Sequence, residues 1–176
     1  SNATKSIGKE CFKRLSHLKA LKLGDSEEIE DDDLLSGAWK ALKMLDLDEN
    51  KTITNKSLQH LTTLTYLKLG NNFQITGDAL RGMKNLTSLN LNLFLSDDSD
   101  DDSDIERIHP IDNETLANLP SLTYLDLSSN NAITLDGLIG VKNLKALHLA
   151  GDHLIKDSDL LRLTNLEVLE LMHDLE

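Results

Sequence analysis

Cysteine is nearly absent: 176 residues carry one, Cys11. An intramolecular disulfide is thereby excluded, and with it the small extracellular domains held together by cystines. A reducing compartment is the simpler reading. Aromatic residues are scarce as well, six against 38 leucines, so the core must reuse one aliphatic shape. No apolar run approaches the roughly 18 residues of a membrane-spanning helix. Basic side chains number 18 against 30 acidic ones, a net charge of −12. Such a chain lacks the basic stripe of a nucleic-acid binder and is unlike a protein that sits on anionic membranes. No P-loop, nucleophile elbow or zinc spacing occurs, so the sequence points to no cofactor and no catalysis. Ser1-Asn2-Ala3 has the form of a tag-cleavage remnant, leaving residues 4–176 as one domain.

What the chain has is a period. Seven segments read LxxLxL or a close variant, opening at Leu18, Leu42, Leu64, Leu86, Leu122, Leu144 and Leu166. The spacings between them are 24, 22, 22, 36, 22 and 22 residues. A second pattern keeps the same phase in the pairs Ile29/Leu34, Ile53/Leu58, Ile75/Leu80, Ile111/Leu116, Ile133/Leu138 and Ile155/Leu160. Alternation in LxL predicts a short strand with both leucines inward. The apolar spacing after each isoleucine predicts a helical turn with Thr54, Thr76, Asp112 and Thr134 at its N-cap. One such unit cannot bury its own apolar side, so the units must stack.

These motifs resemble the leucine-rich repeat family in its bacterial 22-residue, internalin-like form, over residues 7–176. The resemblance implies an α/β solenoid, a curved horseshoe with a parallel β-sheet on the concave face and short helices or turns on the convex face. Where the family has a ladder asparagine, the chain holds Ser26, Asn50, Asn72, Phe94, Asn130, Asp152 and Asp174. Buried amides there would satisfy backbone groups of adjacent turns. The family also implies a protein partner taken on the concave face, in a bacterial surface protein or an effector secreted into the host cytosol. Two alternatives stay open: the recognition region of a larger enzyme, or a structural spacer. Ile7, Phe12 and Leu15 match half a unit, and neither end shows a cap. A longer protein, or end-to-end contacts between chains, would account for that.

The 36-residue unit contains SDDSDDDSD, in which Asp97, Asp98, Asp100, Asp101, Asp102 and Asp104 form an acidic edge. An insertion of 14 residues, at approximately 94–109, is expected to leave the sheet edge as a loop. A second acidic run, Gly24–Asp33, is expected to form a loop at the same edge. Solvated loops, a docking edge for a basic partner and a calcium site are the readings, although no calcium-loop spacing supports the last.

Two outward columns define the candidate binding surface. One reads Ala20, Met44, Tyr66, Ser88, Tyr124, Ala146, Val168, and the other Lys22, Asp46, Lys68, Asn90, Asp126, His148, Glu170. Exposed tyrosines on a rigid sheet are typical anchors, so Tyr66, Tyr124 and Met44 stand out. Opposite charges in the second column are expected to pair across strands. Asp126, His148 and Glu170 form one row, but three evenly spaced parallel side chains make a poor coordination shell, so no metal is assigned. Cys11 reads as a buried structural thiol beside Phe12. Trp39, next to Gly37, should pack an irregular turn in the 24-residue first unit.

Overall fold

The computed structural model describes residues 9–93, 109–151 and 154–171. Seven strands, β1 (Ala20–Lys22), β2 (Met44–Asp46), β3 (Tyr66–Lys68), β4 (Ser88–Asn90), β5 (Tyr124–Asp126), β6 (Ala146–His148) and β7 (Val168–Glu170), form one open sheet in chain order. All neighbours are parallel, and every strand pairs residue for residue with the next copy of its motif, as in Leu45↔Leu67 and Leu67↔Leu89. The solenoid and its strand phase are therefore those the period predicts. Helical turns α1 (Lys9–Phe12), α2 (Asp31–Ser36), α3 (Asn55–Leu58), α4 (Asn113–Ala117), α5 (Leu135–Gly140) and α6 (Asp157–Leu160), with a 3-10 turn at Gly77–Leu80, cover the other side. Strands stack about 4.8 Å apart, closer than helical turns can, so the sheet lies on the inside of any bend.

The core is a single column of aliphatic side chains between the two layers. Leu45, Leu67, Leu89, Leu125 and Leu147 are completely buried, as are Ile53, Ile75 and Ile111 from the return segments. Units at the margins bury less: Leu21 is partly buried and Leu169 is 38% exposed. That is the energetic signature of stacking, in which each unit is covered by its neighbours.

Polar groups inside the column are satisfied from one unit to the next. Asn50, Asn72 and Asn130 each donate Nδ2 to a carbonyl of the preceding unit, Ser26, Leu47 and Leu91 respectively, at 3.1–3.3 Å. Each Oδ1 accepts the amide of the following buried isoleucine, Ile53, Ile75 or Ile133, at 2.8–3.1 Å. The expected ladder is thus present at these three asparagines. Phe94, Asp152 and Asp174 lie outside the described residues. In the fourth unit His109 supplies half of what an asparagine would. Its Nδ1 accepts the Ile111 amide at 3.2 Å, and the ring is 2% exposed. The solenoid has therefore resumed by His109.

Thr54, Thr76, Asp112 and Thr134 are N-caps as predicted, but two of them do not cap with their own side chains. Instead the residue that follows the cap of the preceding unit reaches forward to them. Asn55 accepts the Thr76 amide at 2.9 Å and donates to its hydroxyl at 2.7 Å. Asn113 does the same for Thr134, at 3.0 and 2.8 Å. Asp31 accepts from the Thr54 amide and hydroxyl at 3.0 and 2.6 Å. Burial alone would raise the Asp31 carboxyl, but hydrogen bonds from Ser57 and Thr54 outweigh it and hold the group below its ordinary value.

Three local expectations need correction. The run Gly24–Asp33 is not all loop, because Asp31–Asp33 are the first turn of α2 and Glu30 is its N-cap. Carboxylates are favoured at a helix start, where free amides carry partial positive charge. Cys11 is exposed: in the one-turn α1 the inward direction is taken by Phe12, leaving its neighbour turned away. Cross-strand charge pairing is limited, as described below. Trp39 behaves as expected, stacking on Phe12 at 5.3 Å and donating Nε1 to the Leu34 carbonyl. Any side chain at Gly37 would collide with it, since a Cβ there would run into the indole ring.

Two stability tests follow from this packing. Leu67→Ala should cost roughly 2–5 kcal/mol in denaturant unfolding through lost burial and a cavity, whereas Lys56→Ala on the exposed helical side should leave the denaturation midpoint essentially unchanged. Burial pulls the His109 imidazole from 6.5 down to about 4, against a weaker upward pull from the Gly70 carbonyl. A depressed folded-state pKa stabilises the fold above the unfolded value and loses that contribution as pH falls. Between pH 6.5 and about 4 the fold should therefore lose roughly 3 kcal/mol. His109→Gln, which cannot titrate, should flatten that interval; an unchanged pH profile in the variant refutes the assignment.

Candidate functional site

With the core confined to one side of the sheet, the other side is free to meet a partner. Met44, Tyr66, Ser88, Tyr124 and Ala146 of the first outward column are all half-exposed and follow one another in register. This places Met44, Tyr66 and Tyr124 on one face, as their spacing indicated. Ser88 separates the two tyrosines.

The second column is less uniform than its sequence suggested. Lys68 does not pair with Asp46, its strand neighbour, but with Asp48 just beyond β2, at 2.5 Å. Asp48 also accepts the Asn71 amide at 3.1 Å, and it fits because Gly70 has no Cβ to block it. Burial alone would lower the Lys68 ammonium, but the Asp48 hydrogen bond and charge outweigh it and raise it. Asp46 accepts the Asp48 amide at 3.2 Å. At the far end His148 Nδ1 lies 3.3 Å from Glu170 Oε2, the one acid–base contact between adjacent strands of this column among the described residues.

Asn90 and Asp126 were expected to be outward contact residues, yet they are only 9% and 8% exposed. Asn90 donates Nδ2 to Asp126 Oδ2 at 2.7 Å, and Asp126 Oδ1 accepts the Ser128 amide at 3.0 Å. With Lys68 on β3 and His148 on β6 beside them in register, they form a recessed part of the face. The row Asp126–His148–Glu170 does not converge: Asp126 turns to Asn90 and Ser128, while His148 turns to Glu170. Among the described residues no three His, Cys, Asp or Glu side chains gather as a metal would require.

Tyr124 is held in place by His148, edge-on at 4.9 Å between ring centres, with its hydroxyl 3.5 Å from His148 Nδ1. Burial, then the charges of Asp126 and Glu170, push the Tyr124 phenol up to about 12. Burial and Asp46 raise Tyr66 likewise, partly offset by Lys68. Asp46, Asp126 and Glu170 thus stand near enough to the tyrosines for their charges to be felt. Asp97, Asp98, Asp100, Asp101, Asp102 and Asp104 lie outside the described residues. A second concavity, about 200 Å³, opens on the helical side beside Thr76, Gly77 and Thr115. Its Arg81 is paired with Asp78 at 2.9 Å, and Asp112 accepts the Thr115 amide at 2.9 Å.

Because Asp126 closes two hydrogen bonds under partial burial, Asp126→Ala should destabilise the fold by about 1–3 kcal/mol. Asp46→Ala, which frees one backbone amide nearer to solvent, should cost less. Chemical denaturation of the two variants compares them directly, and equal costs would place Asp126 in solvent.

The comparisons with known proteins agree with this architecture. Residues 104–154 match the leucine rich repeat family model. Internalin C2 of Listeria monocytogenes strain 4b F2365 is similar at 28% identity and a TM-score of 0.61, over 92% of this chain and 65% of that one. Internalin InlF of the same strain is similar at 22% identity and 0.58, over 94% and 45%. A chain of the yeast Rad7–Elc1 complex shares the fold at 20% identity and 0.63, over 92% and 44%. This chain thus spans under two thirds of the length of each of these structures. A search of the curated proteins by sequence finds no match. Motif, register, ladder and these likenesses agree: the chain folds as a leucine-rich repeat solenoid and is similar to the internalins.

Proposed function

We propose that this chain is a non-catalytic protein-binding module that takes its partner on the sheet face. The observation that carries the reading is the half-exposed column Met44–Tyr66–Ser88–Tyr124, fixed in register on a sheet whose opposite side holds the whole core. Large aromatic side chains on a rigid frame lose little entropy when covered, which is why such residues anchor interfaces. Likeness to internalin C2 supports placing the module in a bacterial surface protein or a secreted effector that meets host proteins. Lys68, Asp46, His148 and Glu170 would rim the contact, and Asn90 with Asp126 would support it from below.

A displayed peptide library selected on the immobilised chain tests the assignment. Selected ligands should lose roughly thirtyfold in affinity on Tyr66→Ala/Tyr124→Ala, the size of a hot-spot truncation. They should keep it on Lys56→Ala, on the helical side. Ligands indifferent to the tyrosines but sensitive to the helical side would move the binding surface there.

A further inference from the structure

Tyr66 and Tyr124 are the only tyrosines in the chain, and the fold sets them two strands apart with Ser88 between. Backbones two strands apart are separated by roughly 10 Å. Two rings that both touch one planar group need roughly 7–8 Å between their faces. Side chains rise approximately perpendicular to a sheet, so the short Ser88 leaves a slot of suitable width between the two tyrosines. The recessed Asn90–Asp126 pair lies beside it, two residues further along the same strands.

Charge decides what suits that slot. Asp126 is nine-tenths buried, and its two oxygens are met by neutral donors, Asn90 Nδ2 and the Ser128 amide. Among the described residues no basic side chain pairs with Asp126 or with Asp46. Lys68, the cation standing between them in register, is neutralised by Asp48. Glu170 adds its field at Tyr124 beyond His148, and Asp46 adds its own at Tyr66. A carboxylate kept from water without a counter-ion is costly, and a cation that arrives from outside relieves the cost. Aromatic faces attract the same charge.

We propose that the slot between Tyr66 and Tyr124 receives the guanidinium of an arginine carried by the protein partner, stacked between the rings and directed toward Asp126. Arginine fits better than lysine because its head is planar, weakly hydrated and able to stack while donating to a carboxylate. His148 fixes the Tyr124 ring before binding, so little ordering remains to be done there. This inference rests on the sheet face being the binding surface.

Acetyl-Ala-Arg-Ala-amide, titrated into the full chain at low salt while the ring signals of the two tyrosines are followed by NMR, tests it. Both rings should shift saturably in the millimolar range, with weaker binding at high salt. Asp126→Asn and, in case that variant folds poorly, Tyr66→Leu should each weaken binding roughly fivefold or more, and Lys56→Ala should not. Two results overturn the proposal: no saturable shift, or an equal shift with the norleucine counterpart, which marks the slot as merely apolar. The library selection keeps the two readings apart. Ligands that need the tyrosines yet carry no arginine remove the cation slot and leave the module standing, while ligands that ignore the tyrosines remove both.

Discussion

Everything in this molecule depends on one constraint: a turn of 22 residues cannot satisfy its own buried polar groups. Each strand is three residues long and most helices are a single turn, so few amides and carbonyls find partners inside their own unit. The partners are next door. Asn72 ties its own turn to Leu47 of the preceding unit. On the helical side Asn55 ties the unit before to the cap of the next. At the start of the strands Asn85, Asn143 and Asn165 donate to the Thr62, Pro120 and Lys142 carbonyls, and Thr65, Thr87 and Thr123 do likewise one turn back. Four parallel rows of lateral hydrogen bonds therefore run along the solenoid, and the leucine column fills the space they enclose.

This division of labour is what frees the sheet face. Because the backbone is fixed by rows at its edges and the core by leucines beneath, residues between the strand ends need not contribute to folding. Met44, Tyr66 and Tyr124 can be large without cost to the frame. Asn90 and Asp126 are the exception, a buried polar contact that joins β4 to β5 where the longest excursion interrupts the chain. The additional bond across that step compensates for a missing asparagine in the ladder.

Strand phase, the isoleucine–leucine pairs and the asparagine ladder were legible in the sequence because they repeat with one period and one residue type. The lateral clamps were not, since Asp31, Asn55 and Asn113 share a position but alternate with Gly77 and Leu135. A polar residue's partner in the next unit leaves no trace in periodicity. The recurring asparagine before the opening leucine, in Lys84–Leu86, Lys142–Leu144 and Thr164–Leu166, is a signal whose meaning emerges only from its hydrogen bonds. His109 could not be found by alignment of repeats, because it stands two residues before its isoleucine while the asparagines stand three before theirs. Exposure of the second column misled for a different reason: pointing away from the core places a side chain on a face, but tall neighbours decide whether water reaches it. The tyrosine column was legible from alternation alone.

Gly77 has a mechanical meaning. It occupies the clamp position of the third unit, and Thr115 of the next unit approaches so closely that a Cβ there would overlap the Thr115 hydroxyl oxygen. No asparagine can reach across at this step, and the row of clamps on the helical side is broken there. The fourth unit also substitutes a histidine for the ladder amide, and its buried Nε2 feels the Gly70 carbonyl but closes no hydrogen bond of good geometry. Two of the four rows are thus thinned at one step, between the Gly77 turn and α4, while the sheet continues through it. A filament stitched along one edge and slack along the other behaves as a hinged strip. Tension along the solenoid concentrates at that step and opens the helical side first, with the sheet and its tyrosines the last part of the joint to yield.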